Sequence, residues 1–83
     1  MDQDTQETRE LTFGEKLVGK TFNPSKDPDV ERLKELAAEM ADIVARSYSK
    51  RPTTLMQDLL RDNAMKEILS GQMAAVKLVT NQF

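Results

Sequence analysis

The stretch "DPDVERLKELAAEMADIVARSYS", residues 27–49, decides the fold because it carries the marks of an amphipathic helix. Asp27 is a favoured N-cap residue, and Pro28 suits the first helical position. Apolar side chains then recur at spacings of three and four residues, while charged side chains occupy the opposite face. The apolar stripe comprises Val30, Leu33, Ala37, Met40, Val44 and Ser47, widened by Leu36, Ala41 and Ile43. The pattern predicts a helix over about residues 27–48.

Two further helices are predicted on either side of this one. Thr54 and Gln57 form a capping-box pattern that opens a helix over residues 54–82. Gly71 lies inside it at a cost of about 1 kcal/mol relative to alanine, which indicates either that another backbone comes close there or that the glycine is a neutral accident. Upstream, Thr12 and Glu15 form a second capping box, so a short helix is expected over residues 11–19. The stripe of the last helix comprises Met65, Leu69, Gln72, Val76, Val79 and Phe83, thickened by Leu59, Leu60 and Ile68.

The expected fold class is therefore all-α, with one small helical domain over residues 1–83. Residues 1–10 are polar and charged and are predicted to be flexible. The short N-terminal helix precedes an antiparallel two-helix hairpin, because the two long helices are joined by a short loop. Such a hairpin leaves apolar side chains wet, namely Leu36, Ile43, Leu60 and Ile68. We therefore expect the chain to assemble as a compact helical homo-oligomer.

The composition excludes several classes of function. The chain has 83 residues, a net charge of −2, no cysteine and no histidine. It therefore has no disulfides or thiolate metal sites, and it lacks the commonest general base and metal ligand. A slightly acidic chain is poorly suited to duplex nucleic acid. There is no apolar run long enough to span a membrane. We expect a cytoplasmic protein that is not an enzyme and that needs no metal or cofactor.

The junction "TFNPSK", residues 21–26, has the residue types that hold a small nucleotide. Phe22 provides an aromatic plane for a base, and Asn23 can bond a base edge or a ribose. Ser25 and Lys26 lie beside a helix N-terminus, which favours phosphate, and Lys34 follows two turns later. In the alternative interpretation, Phe22 packs on the core, Asn23 and Pro24 form a turn, and Lys34 is a surface charge.

The segments "LTFGEKLVGKTFNPSKDPDVERLK" and "GQMAAVKLVT" resemble the phage anti-CBASS cyclic-oligonucleotide sponges, whose hairpin domain is shared with one group of anti-Thoeris sponges. The resemblance covers about residues 11–44 and 71–80. It implies a homohexamer that binds cyclic dinucleotides such as cyclic GMP-AMP, and cyclic trinucleotides in separate pockets, without cleaving them. The expected setting is the cytoplasm of an infected bacterial host, where sequestration blocks CBASS signalling.

The resemblance also implies roles for individual residues. Phe22 matches the aromatic residue that stacks on a base, Lys34 matches a dinucleotide contact, and Lys77 matches a basic residue of the trinucleotide pocket. The chain departs from the family pattern in two places. Leu36 stands where a hydroxyl residue is often found, which puts one polar contact in doubt, and Ala74 stands where tryptophan is common, which puts the second pocket in doubt.

Two alternatives remain open. In the first, the chain is a structural helical interaction protein with no small ligand. In the second, it is a sponge for a cyclic ADP-ribose isomer. Both predict a helical oligomer, so only ligand binding distinguishes them from the first interpretation.

Overall fold

Three α-helices make up the computed structural model, which describes residues 10–50 and 53–81. They are α1 (Phe13–Val18), α2 (Pro28–Ser49) and α3 (Leu55–Val79). The described part of the chain has no β-strand, so the predicted all-α class is confirmed. The predictions for residues 1–9 and for Phe83 lie outside the described residues.

The helix ends follow the local signals in the sequence. Thr12 and Glu15 form a complete capping box, with the Glu15 N–H donating to the Thr12 hydroxyl at 3.1 Å. Thr54 and Gln57 form the equivalent box on α3, where the Gln57 N–H donates to the Thr54 hydroxyl at 3.2 Å. The Asp27 carboxylate accepts from the Asp29 N–H at 2.8 Å. Each bond satisfies an N–H group that has no partner within its helix.

The helix α2 packs against α1 along a line of small side chains. Ala38 and Ala41 are buried on this line, together with Val30. Gly14 of α1 lies so close that a Cβ built on it would stand 2.1 Å from the Ala38 carbonyl oxygen. The Gly14 N–H also donates to the Asp42 carboxylate at 2.7 Å. Close approach of the two backbones therefore requires glycine at position 14.

A different edge of α2 faces α3, and here the two helices leave a long apolar groove. Leu33, Ala37 and Val44 line it from α2, and Ile68 and Gly71 line it from α3. At one end of the helix pair, the Tyr48 hydroxyl donates to the Asp58 carboxylate. The guanidinium of Arg61 lies 4.1 Å from the centroid of the Tyr48 ring, a cation–π contact that fastens the same end.

The chain is flat, so its apolar side chains lack a deep core. Its Cα atoms span 42 × 38 × 12 Å. Two stacked layers would need about 13 Å or more, because packed helix axes lie 8–10 Å apart and Cα atoms lie about 2.3 Å from each axis. No large side chain of the described residues is fully buried. Exposed apolar side chains on α2 and α3 include Leu36, Met40, Ile43, Leu55, Met56, Leu59, Leu60, Met73 and Leu78.

The expectation that Gly71 marks a close backbone approach is wrong for the described chain. A Cβ built on Gly71 meets no atom within 4 Å. The close approach is at Gly14 instead, where the helix-forming pattern gave no such indication. Both glycines lie within helices, and only one of them is required by packing.

The two glycines form a matched pair for mutagenesis. Gly14→Ala is expected to destabilise the fold by about 1–3 kcal/mol, because the added methyl overlaps the Ala38 carbonyl. Gly71→Ala is expected to stabilise it by up to about 1 kcal/mol through helix propensity alone. Urea denaturation at one fixed protomer concentration measures both changes. Equal effects of the two substitutions would contradict this account of the α1–α2 crossing.

Candidate functional site

Two successive turns shape the loop between α1 and α2 and present the Phe22 ring to solvent. The loop starts at Gly19, whose φ of +64° lies in the left-handed region that ends α1. The Phe22 N–H donates to the Gly19 carbonyl at 2.9 Å, and the Lys26 N–H donates to the Asn23 carbonyl at 3.0 Å. Phe22 remains 70% exposed. A large ring held by a defined turn and left in water is available to a ligand or a partner.

Polar side chains of the same loop bond mainly to one another. The Ser25 hydroxyl donates to the Asn23 side-chain carbonyl at 2.9 Å. The Asn23 amide donates to the Asp27 carbonyl at 3.2 Å, and the Asp27 N–H donates to the Ser25 hydroxyl at 3.3 Å. These bonds satisfy loop groups that would otherwise need water. Asn23 and Ser25 thus shape the turn before α2, whatever else they contact.

Lys34 is buried and forms hydrogen bonds with the backbone of this loop. It is 6% exposed, and its ammonium donates to the Gly19 carbonyl at 2.9 Å and to the Phe22 carbonyl. The ammonium also lies 5.4 Å from the centroid of the Phe22 ring. Burial lowers the pKa of Lys34 from its ordinary value. The surface-charge interpretation of Lys34 is therefore wrong, since the residue clasps the backbone on either side of Phe22.

A groove of about 470 Å³ lies where the loop meets all three helices. Three lysines contribute to its lining, and none of the lining residues is acidic. Phe22 lies on the same wall as Lys34. The groove is therefore a positively charged, aromatic-walled recess on a chain of net negative charge. Its lining comprises Lys16, Leu17, Val18, Gly19, Phe22, Lys34, Leu69, Gln72, Met73, Val76 and Lys77.

The structure brings together some of the residues predicted from the sequence and separates others. Phe22, Lys34 and Lys77 line one groove within a single chain. Lys77 was expected in a separate pocket, so its presence beside Phe22 differs from that prediction for the isolated chain. Asn23 and Ser25 are outside the groove lining, as is Lys26, whose φ of +56° places it in the left-handed region.

The two positions that depart from the family pattern also lie away from this groove. Leu36 lines the apolar groove between α2 and α3 instead. Ala74 is exposed on α3 and is not part of the charged groove's lining. Within one chain, neither departure alters the surroundings of Phe22.

The N-terminus of α2 was predicted to favour phosphate, but its own carboxylates are already there. Asp27 caps the Asp29 N–H, and Asp29 and Glu31 lie in the first turn. These carboxylates already interact with the partial positive charge at the N-terminus of the helix. A phosphate group therefore meets a more favourable charge in the lysine-lined groove than at the helix end.

Sequence reasoning missed two polar residues of the groove. Lys16 is in the last turn of α1, and a lysine on so short a helix resembles any surface charge. Gln72 is buried on α3, and it did give a signal, because it is a polar residue within an apolar stripe. Only the packing of α1 against α3 reveals that both line one recess.

Three searches for related proteins found nothing: no protein-family model, no curated protein and no solved structure matches the chain. Among the described residues, no group of acidic side chains is arranged to hold a metal ion. No described helix is both long and apolar enough to cross a membrane. The functional interpretation therefore depends on the groove itself and on the sequence resemblance.

The contacts of Lys34 and Phe22 predict effects of different size on stability. Lys34→Met is expected to lower the free energy of unfolding by about 1–3 kcal/mol, because two loop carbonyls lose a charged donor. Phe22→Ala removes an exposed ring and is expected to change it by less than about 0.5 kcal/mol. Denaturation followed by circular dichroism measures both. A large loss for Phe22→Ala would show that the ring is part of the core.

Proposed function

We propose that this chain is a sponge that binds and sequesters cyclic dinucleotides, such as cyclic GMP-AMP, without cleaving them. The observation that carries the proposal is the groove in which an exposed Phe22 ring stands among Lys16, Lys34 and Lys77 with no acidic lining residue. An aromatic plane suits a base, and ammonium groups suit phosphates. The sequence resemblance to anti-CBASS sponges supports the same ligand class.

In this proposal, different residues contact different parts of the ligand. A base stacks on the Phe22 ring, and the phosphates approach Lys16 and Lys77. Lys34 uses two of its three N–H groups on the loop, so one remains for a ligand. The groove volume of about 470 Å³ lies within the usual range of about 300–1,000 Å³ for ligand pockets. A cyclic dinucleotide has two bases, so a groove on each of two protomers serves one base apiece.

The same proposal includes an assembly. The helices α2 and α3 pair as an antiparallel hairpin, and several copies cover the apolar side chains that a flat chain leaves wet. Met40 is 55% exposed on the same face as Leu36 and Ile43. The resemblance indicates six copies. Burying this face supplies the stability that a one-layer chain lacks.

Cyclic trinucleotides form a further part of the proposal. The resemblance assigns Lys77 to a trinucleotide pocket, whereas in one chain Lys77 shares the groove of Phe22 and Lys34. Competition between a dinucleotide and a trinucleotide for the wild-type protein distinguishes one shared groove from two pockets.

The biological role follows from the chemistry of holding without turnover. A phage protein that removes a cyclic nucleotide from the cytoplasm of an infected bacterium deprives the CBASS system of its messenger. The chain contains neither histidine nor cysteine, which agrees with a binding role and no catalytic one.

One observation favours a second candidate, a structural helical interaction protein. The exposed apolar side chains of α2 and α3 suit docking of a partner helix without any small ligand. A third candidate keeps the sponge and replaces the cargo with a cyclic ADP-ribose isomer. Titration with both ligand classes distinguishes all three.

Calorimetric titration tests the ligand class. Wild-type protein is expected to bind cyclic GMP-AMP, and Phe22→Ala is expected to lose about 5- to 150-fold in affinity, which corresponds to about 1–3 kcal/mol of base stacking. Phe13→Ala is the matched control, because Phe13 is also an exposed ring but lies outside the groove. It is expected to bind as wild type does.

Recovery of the ligand separates sequestration from hydrolysis. After heat denaturation of the complex, the cyclic nucleotide is expected to return intact by chromatography. If titrations with cyclic di- and trinucleotides release or absorb no heat of binding, the cyclic-oligonucleotide sponge is refuted, which leaves the interaction protein and the sponge for a cyclic ADP-ribose isomer.

Sedimentation equilibrium tests the assembly. Wild-type protein is expected to sediment as an oligomer, and Ile43→Lys is expected to dissociate it, because a buried unpaired ammonium is costly at an apolar interface. Glu31→Lys is the control, since Glu31 is exposed on the charged face of α2 and lies about three turns away from Ile43. An Ile43→Lys protein with the wild-type mass would show that this face is not the interface.

A further inference from the structure

Gln72 is an anomaly in an otherwise apolar part of α3. The residue is 8% exposed, and its side-chain carbonyl oxygen is buried without a hydrogen-bond partner. Among the described residues, no other buried side-chain nitrogen or oxygen is left unpaired. Buried polar groups in folded proteins are nearly always bonded, so an exception calls for an explanation.

The surroundings of Gln72 explain why the chain itself does not satisfy this oxygen. Gln72 lines the charged groove between Leu69, Met73 and Val76, whose side chains have no N–H or O–H donor. It also lines the apolar groove between α2 and α3, where the described walls are mostly aliphatic. No described residue donates to this oxygen in the ligand-free chain, which leaves it available to a donor on a ligand.

The groove is the route by which such a donor arrives. Gln72 shares its lining with Phe22 and the three lysines. The last side-chain torsion of glutamine is broad, so the amide turns towards the groove without movement of the backbone. A ligand donor that pairs with the oxygen recovers the free energy that burial of an unpaired carbonyl costs the empty protein.

We propose that Gln72 is a specificity-determining residue of this groove, whose side-chain carbonyl accepts a hydrogen bond from an N–H group on the edge of the bound nucleobase. The inference rests on the proposed function. Phe22 contacts the face of a base and accepts any base, whereas Gln72 reads an edge and rejects a base without a donor. The apolar side chains around the amide strengthen this selection, because a carbonyl that finds no donor on the ligand cannot bond to water there.

The substitution Gln72→Met tests the proposal through two readouts of opposite sign. Methionine keeps the length of the side chain and removes the amide, so the ligand-free protein is expected to melt at a higher temperature. The affinity for cyclic GMP-AMP is expected to fall about ten-fold, the equivalent of one net hydrogen bond of about 1.4 kcal/mol. Asn63→Leu, which removes an exposed amide from the same helix outside the groove, is expected to leave the affinity unchanged.

A second ligand makes the test specific for the base edge. The second ligand is a cyclic dinucleotide whose two bases are unsubstituted purine. These bases can still stack on Phe22, but they have no N–H group to donate to Gln72. Wild-type protein is expected to bind it about ten-fold more weakly than cyclic GMP-AMP, and Gln72→Met is expected to bind the two ligands equally.

The outcomes separate this inference from the proposed function. If wild-type protein binds neither cyclic dinucleotide, both fail together. If it binds cyclic GMP-AMP and Gln72→Met binds it equally well, only the role of Gln72 is refuted. If Gln72→Met lowers the melting temperature, the amide is paired inside the assembly or with a buried water, and the inference is likewise refuted.

Discussion

The hydrogen bonds from Lys34 to the carbonyls of Gly19 and Phe22 are the interaction on which the site depends. Helix α1 has six residues, too few to be stable alone in water. Its position depends on the Gly14 crossing at one end and on the Lys34 clasp at the other. Charge-assisted bonds are stronger than neutral ones, so one ammonium orders a loop that carries little apolar surface. Without it, the Phe22 ring has no defined place beside the groove.

Burial of that ammonium also bears on the anionic ligand that the proposed function requires. Burial lowers the pKa of Lys34, because the charged form loses water without gaining a carboxylate partner. A ligand covering the groove removes still more water and increases this penalty. A phosphate compensates it, since a nearby negative charge favours the protonated lysine. A neutral ligand offers no such compensation, so under the proposed function the contacts that order the loop also favour a negatively charged ligand.

Features set by neighbouring residues were predictable from the sequence, whereas those set by packing were not. The caps at Thr12, Asp27 and Thr54 depend on side chains within three residues, and the structure shows each of them. The closest helix crossing depends on Gly14 meeting Ala38, 24 positions away in the chain, and no local pattern distinguishes Gly14 from Gly71. For the same reason Phe22 was identifiable as an aromatic residue at a junction, but its exposure, like the contribution of Lys16, appears only in the packed structure.

Folding and the proposed ligand binding depend on the same few contacts in this chain. The groove takes residues from all three helices and from the loop, so it exists only when α1 is docked. A ligand that binds the docked form alone adds to its stability by mass action, about 2.7 kcal/mol at one hundred times the dissociation constant. That is a large part of the free energy of unfolding expected for a flat chain with no fully buried large side chain in its described residues. Under the proposed function, the occupied protein is therefore more stable than the empty one, and the groove is fully formed whenever the ligand is bound.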